Sequence, residues 1–447
     1  MRLKALATLA AAALPLGVHA TDGYFSHGWG MKAKGRAGVS AAMTDDAYGG
    51  VNNPGTMVWA GQRFDIGLDW FSPDREASRT GTTATLGPAN IDGKATSDST
   101  NFYVPELAYN HMLSPTLSLG VSVIGQGGMN TNYPGGQISA ASACAGFNPT
   151  PGPYNLLCGN GRLGVDLAQL VIAPTLSWKF LPDHSVGIAP LIGYQRFKAN
   201  GLQAFAVISN DPANLTNNGY DDAWGWGVRV GYYGQILPQL AIGATYATKI
   251  YMSKFDDYKG LFANKGGFDV PQNLAVGVAF RPIPALLIGV DYKWIDYSGV
   301  DSIGNPSSNA LNCAAGITSN CLGGSNGAGF GWQSVNVWKF GVEYQVNPEL
   351  TLRAGYGHTD NPIRSQDVTF NILAPGIVKD HVTAGFTYVF GKKHELTAAY
   401  MHAYKNSVTG SSLINPFAQA LFGVNPNATE KISLSENSFG LAYAYRF

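Results

Sequence analysis

From Phe439 to Phe447 every second residue is apolar: Phe439, Leu441, Tyr443, Tyr445 and Phe447 alternate with Gly440, Ala442, Ala444 and Arg446. A period of two sends successive side chains to opposite faces of a β-strand. The same alternation recurs along the chain. Leu396, Ala398, Tyr400, His402 and Tyr404 share a face, as do Val382, Ala384, Phe386, Tyr388 and Phe390. Trp338, Phe340, Val342 and Tyr344 oppose Lys339 and Glu343; Ile288, Val290, Tyr292 and Trp294 oppose Asp291 and Lys293. Leu352, Ala354 and Tyr356 oppose Arg353, and Trp224, Trp226, Val228 and Val230 oppose Arg229. A soluble β-sandwich would need only a few such strands and does not explain aromatics on one face with charge on the other. Lipid outside and a polar lumen inside do explain it.

The connections alternate between short and long. Short ones carry turn residues, among them Ser114-Pro115, Leu237-Pro238-Gln239, Asn347-Pro348 and Gly391-Lys392-Lys393. Long ones cover 73–98, 127–163, 198–222, 253–270, 299–330, 361–376 and 407–430. This pattern predicts an all-β fold, a transmembrane antiparallel β-barrel of about 14 strands spanning 62–447. The expected strands are 62–72, 99–113, 116–126, 164–180, 185–197, 223–236, 240–252, 271–282, 286–298, 331–346, 350–360, 377–390, 395–406 and 431–447.

Two segments precede the first strand. Arg2 and Lys4, the apolar run Leu6–Leu16 and Val18-His19-Ala20 have the layout of a secretory signal peptide over residues 1–20. The run is too short for a spanning helix, which needs roughly 20 residues. Residues 21–61 have no period of two, yet hold Tyr24, Phe25, Trp29, Met31, Met43, Met57 and Trp59. A disordered leader is the alternative, but such leaders are poor in aromatics. A compact plug, or hatch, in the lumen is the better fit.

Composition agrees. The 447 residues carry 29 basic and 29 acidic side chains, 13% charged in all, with 56 Gly and 12% aromatics. Zero net charge offers no basic face for nucleic acid. A mean hydropathy of −0.02 is too polar for a helical membrane bundle.

Three stretches carry a family resemblance. The first is Gly35-Arg36-Ala37-Gly38, continuing through Asp45-Asp46-Ala47 to Asn53-Pro54-Gly55. The second is Val270-Pro271-Gln272-Asn273-Leu274 with Gly289-Val290-Asp291-Tyr292-Lys293-Trp294. The third is Trp332, Lys339-Phe340-Gly341-Val342-Glu343-Tyr344, Leu352-Arg353-Ala354-Gly355-Tyr356 and Asn361-Pro362. Their order resembles the FadL/TodX family, outer-membrane transporters of long-chain fatty acids and hydrophobic compounds. Gly55 departs from the family, which has Ala there. The resemblance implies a monomeric barrel in the Gram-negative outer membrane, with Asn53, Pro54 and Gly55 as the hatch motif. It implies uptake of hydrophobic molecules, long-chain fatty acids or alternatively aromatic hydrocarbons, through an external groove, an interior pocket and a lateral wall opening. That opening is expected at the second and third strands, where Pro105, Gly125, Gly127 and Gly128 weaken pairing. Pro174 and Pro190 form a competing site. A general diffusion porin or structural barrel is the alternative of another class; a plug at residues 21–61 would block free solute passage.

Further residues invite chemistry. Arg229, Lys293, Lys339 and Arg353 face inward and suit a ligand carboxylate; alternatively they pair with Asp291, Glu343, Asp45 or Asp46. Cys144 with Cys158, and Cys313 with Cys321, each fall within one long loop and read as local disulfides. Without Cys-x-x-Cys or a neighbouring His, no metal site is expected. The one Gly-x-Ser-x-Gly spacing, Gly323-Gly324-Ser325-Asn326-Gly327, lies within a long loop and not at the strand-to-helix turn of an esterase elbow, and Gly225-Trp226-Gly227 lies in a strand, so no enzyme activity or cofactor is expected. The expected partners are a hydrophobic small-molecule ligand and outer-membrane lipid and lipopolysaccharide.

Overall fold

A computed structural model describes residues 22–447; the expected signal peptide and Thr21 lie outside the described residues. Fourteen antiparallel strands close into a barrel. They are β1 (Arg63–Thr80), β2 (Phe102–Ser114), β3 (Leu117–Asn130), β4 (Gly164–Leu181), β5 (His184–Asn200), β6 (Asp221–Leu237) and β7 (Leu240–Ala247). The circuit continues with β8 (Asn273–Ile283), β9 (Leu286–Ile295), β10 (Val335–Gln345), β11 (Leu350–Thr359), β12 (Asp380–Phe390), β13 (His394–Ser411) and β14 (Thr429–Arg446). Pairing of β14 with β1, from Arg63 opposite Arg446 to Thr80 opposite Thr429, closes the circle. Closure leaves no sheet edge, the condition under which strands survive in hydrocarbon.

The strand count and order match the alternation in the sequence. Strand ends differ where that signal fades. β1 and β13 run on to Thr80 and Ser411. Asp74, Glu76 and Lys405 replace the outward aromatics there, so no apolar face marks those upper parts. β7 stops at Ala247 because Thr248 turns back on β6, exchanging two hydrogen bonds with Val228. A short strand, Tyr251–Met252, then pairs with the top of β6, and another, Gly93–Thr96, with the top of β1.

The two faces differ as lipid and lumen require. Ile66, Leu68 and Trp70 are exposed on β1, while Arg63, Asp65, Asp69 and Phe71 between them are buried. Residues 22–61 add no strand to the wall and lie almost wholly buried inside it. Three cations tie this segment to different strands. Lys32 meets Glu395 of β13 at 2.8 Å, and Lys34 meets Asp69 of β1 at 2.7 Å. Arg36 lies between Glu343 of β10 at 2.8 Å and its own segment's Asp45 at 2.7 Å. Removing one partner of a buried pair costs about 3–5 kcal/mol, so the segment around Met31–Arg36 is held firmly.

The wall is cut back to receive it. A Cβ on Gly243 would lie 1.8 Å from the Ala41 carbonyl oxygen, and one on Gly355 2.5 Å from the Arg36 carbonyl carbon. Part of the high glycine content therefore marks where wall backbone and segment backbone touch.

Candidate functional site

Three features stand out, one among the long loops, one in the lumen and one in the wall. The first is an apolar cleft of about 40 Å³ among the long loops, lined by Phe147, Leu157, Phe205, Phe370, Leu413 and Phe417. Cys158, bonded to Cys144, also lines it, and the Phe147 ring packs edge-on against Phe422 at 5.5 Å. Cys313 is bonded to Cys321 in another long loop.

The second is a cavity of about 30 Å³ in the lumen, whose lining includes His27, Trp29, Arg229, Asp291, Lys293 and Lys339. It unites three of the four cations singled out in the sequence. Lys339 and Lys293 converge on Asp22, at 2.9 and 3.5 Å. Burial alone would raise the Asp22 carboxyl, but these two ammonium groups outweigh it and hold it at about 2. Arg229 donates only to the Asn52 carbonyl at 3.3 Å and to Asn273 Oδ1 at 3.2 Å. No carboxylate among the described residues lies within 4 Å of its guanidinium. Trp29 sits between the charges, its ring 5.9 Å from Arg229 and 5.0 Å from Lys293. Asp291 accepts the N–H groups of Ser40 and Ala41. Its other oxygen is buried and unpartnered. His27 is buried with both ring nitrogens unpartnered, and burial pushes its pKa well below the usual range. Arg353 is elsewhere: it pairs with Glu343 at 2.7 Å and lies 3.8 Å from Asp45.

Asn53 and Gly55 fasten the N-terminal segment to β6. The Asn53 side chain donates to the carbonyls of Ala41 at 2.6 Å and Tyr232 at 2.8 Å. Its Oδ1 accepts from Gly55 N–H at 3.0 Å, capping the 3₁₀ turn Pro54–Trp59. A Cβ on Gly55 would come within 2.9 Å of the Tyr233 nitrogen and 3.0 Å of the Tyr232 carbonyl carbon. Glycine here thus serves close approach to the wall.

The third feature is a window. The β2–β3 ladder runs no higher than Glu106 opposite Ile124. The two segments meet again where Asp98 N–H donates to the Asn132 carbonyl and Asn132 N–H to Ser97 Oγ, each at 2.9 Å. Between residues 99–105 and 125–131 no backbone hydrogen bond crosses. Pro105 has no N–H to offer, and a bulge between Gly125 and Gly127 bends β3. The N-terminal segment bonds to β3 in place of β2: Gly128 N–H donates to Tyr24 at 3.0 Å, and Ser26 N–H to Gln126 at 3.4 Å. At the window's lower edge the outer wall is hollowed by a depression of about 570 Å³, lined by Leu68, Pro105, Glu106, Leu107, Val123 and Leu170. The competing site differs. Pro174 and Pro190 interrupt the β4–β5 ladder, but it resumes on both sides, at Ile172–Ile192 and Leu176–Ile188.

The sequence did not single out Asp22, Lys32, Lys34, Glu106 or Glu395. A signal was present in the basic spacing Lys32, Lys34, Arg36 opposite inward acids on the strands.

An apolar, aromatic exterior on a closed 14-strand barrel with a charged lumen defines an outer-membrane β-barrel. The chain belongs to the outer membrane protein transport family OMPP1/FadL/TodX, whose model matches residues 158–447. An outer membrane protein of Neisseria meningitidis serogroup B is 24% identical over 234 residues, 47% of this chain and 48% of that protein. The chain thus matches about half the length of this curated relative. Solved structures share the fold. The toluene transporter TodX of Pseudomonas putida superposes with a TM-score of 0.64 at 17% identity, covering 94% of this chain and 99% of its own. A Pseudomonas aeruginosa FadL homologue gives 0.67 at 14% identity, covering 95% and 100%. The Ralstonia pickettii toluene transporter TbuX gives 0.61 at 17% identity, covering 94% and 99%.

Proposed function

We propose that this protein is an outer-membrane uptake channel for hydrophobic molecules with an anionic head, long-chain fatty acids foremost. The observation that carries this is the charge count of the lumenal cavity. Arg229, Lys293 and Lys339 face it, against two carboxylates, Asp22 and Asp291. A ligand carboxylate would supply the missing negative charge, and a neutral aromatic hydrocarbon would not. The ligand enters by the apolar cleft and displaces Asp22 from Lys339 and Lys293. That frees the Tyr24–Ser26 stretch from β3, and the ligand leaves through the window into the membrane. Residues 22–61 are the hatch, fixed at Asn53–Gly55 and mobile at the Asp22 end.

The test compares binding of palmitate and of toluene to purified protein. Arg229→Gln with Lys339→Gln should weaken palmitate and leave toluene unchanged. Equal loss for both, or loss for neither, sinks the carboxylate reading. The aromatic-hydrocarbon alternative draws support from TodX and TbuX and predicts tight toluene binding with indifference to these substitutions. In planar bilayers the protein should give no open-pore current of porin size; such a current would reject the hatch.

A further inference from the structure

We propose that the outer face of β5 and β6 binds the phosphates of a lipopolysaccharide molecule in the outer leaflet. Outward residues of β5 read Ile188, Ile192, Tyr194, Arg196 and Lys198 going up the strand, alternating with buried Ala189, Leu191, Gln195 and Phe197. The change from apolar to aromatic to cationic follows the change from acyl chain to interface to headgroup. At about 3.3 Å per residue, Arg196 and Lys198 stand roughly 7 and 13 Å along the strand beyond Tyr194. Tyr194 packs on Trp224 at 4.8 Å, and Trp226 and Tyr251 beside them are 67% and 58% exposed. This cluster is an interfacial belt, and the two cations rise directly from it.

The cations are free to take a phosphate. Both lie over one ring, Arg196 at 4.7 Å and Lys198 at 4.4 Å from the Tyr220 centroid. Arg196 Nε is buried with no hydrogen-bond partner. None of the nearby acids Asp166, Asp221 and Asp222 comes within ion-pair distance of either cation. Asp166, opposite Lys198, is occupied on both oxygens, by Asn130 and by the Tyr220 hydroxyl. Asp221 is occupied by the N–H groups of Asp222 and Asp257. Asp222 stands opposite Arg196 without coming within ion-pair distance. Lys254 follows Ser253, which hydrogen-bonds both the N–H and the carbonyl of Trp224, so a third cation stands beside the belt. Lys254 also lines an open polar cleft of about 880 Å³ that can take a sugar headgroup. Arginine's planar fork matches phosphate bidentately. Free phosphate would have no use for the belt below; an acylated phosphosugar uses both.

The test reads lipid retention by native mass spectrometry of protein extracted from outer membranes in mild detergent. Arg196→Gln with Lys198→Gln should retain roughly thirtyfold less bisphosphorylated lipid A, about fivefold for each charge removed. Lys431→Gln, an exposed cation on β14, should retain it as the natural protein does. Dephosphorylated lipid A should bind the natural protein as weakly as the phosphorylated form binds the double variant. Heat-modifiable gel mobility confirms that each variant is a closed barrel. Undiminished retention by a folded double variant, or equal binding of the dephosphorylated lipid, overturns the proposal. Palmitate binding should not change in any of these variants, so the outcome is separable from the fate of the transport reading.

Discussion

Cysteines at Val104 and Gly125 should lock the window shut. A Cβ built on Gly125 lies 3.9 Å from Val104 Cβ, inside the span of roughly 3.5–4.5 Å that a disulfide needs. It would also lie 2.5 Å from Val104 Cγ1, but Val104→Cys removes that methyl in the same step. A disulfide holds its Cα atoms within about 6.8 Å. For a ligand to pass, the strands must part to roughly the 10 Å that separates backbones with side chains packed between them. The crosslinked window is therefore too narrow by about 3 Å. In cells, uptake of radiolabelled palmitate by Val104→Cys with Gly125→Cys should fall to the level of a strain lacking the protein, and reductant should restore it. Binding of palmitate to the purified, oxidised protein should persist, because the external cleft lies among the loops. Mass spectrometry of the linked peptide establishes that the bond has formed, and the natural protein treated with reductant controls for loss of the loop disulfides. Full uptake through a quantitatively crosslinked wall refutes the reasoning and moves the exit to the Pro174–Pro190 break.

Asn53→Ala removes three hydrogen bonds and leaves the buried Ala41 carbonyl without its side-chain donor, at about 1–3 kcal/mol for the unmet group. It should lower palmitate uptake while surface level and heat-modifiability stay normal; unchanged uptake argues against a fastening role. The Asp22 pKa is depressed to about 2, so its contribution to docking is complete above the ordinary carboxyl value near 3.9 and is lost as pH falls toward 2. Exchange of the Gly128 amide, corrected for intrinsic rate, should be flat from pH 7 to 5 and quicken below about 4, and Asp22→Asn should quicken it already at pH 7. Non-reducing peptide mapping should recover Cys144 with Cys158 and Cys313 with Cys321; free thiols at all four positions or crossed pairs would contradict the loop structure.

The wall was legible in the sequence because the lipid acts on every strand separately. Each must turn Trp338, Phe340 and Val342 outward and Lys339 inward, whatever its neighbours are, and period two follows. Pairing across the lumen has no such local signature. Asp22 is 317 residues from Lys339 and 271 from Lys293, and nothing in its surroundings in the chain names those partners. Register is hidden for the same reason. Ser122 stands opposite Ala108, two rungs below the end of the β2–β3 ladder, a register that the alternation alone does not disclose. Gly125, Gly127 and Gly128 were visible as weak points, since glycine and proline carry their effect on pairing in their own covalent structure.

The glycines that clear the wall for residues 22–61 make barrel and interior segment a matched mould and casting. Gly243 and Gly355 admit the backbones of Ala41 and Arg36 at distances that no other residue permits. An N-terminal segment grafted from a relative would meet hollows in the wrong places, and a relative's barrel would meet this segment with side chains where it needs bare backbone. Evolution in this fold must then proceed by paired steps, a small residue in a strand for each shift of the interior segment. Chimeras should fold only when the inward glycines are exchanged together with the N-terminus.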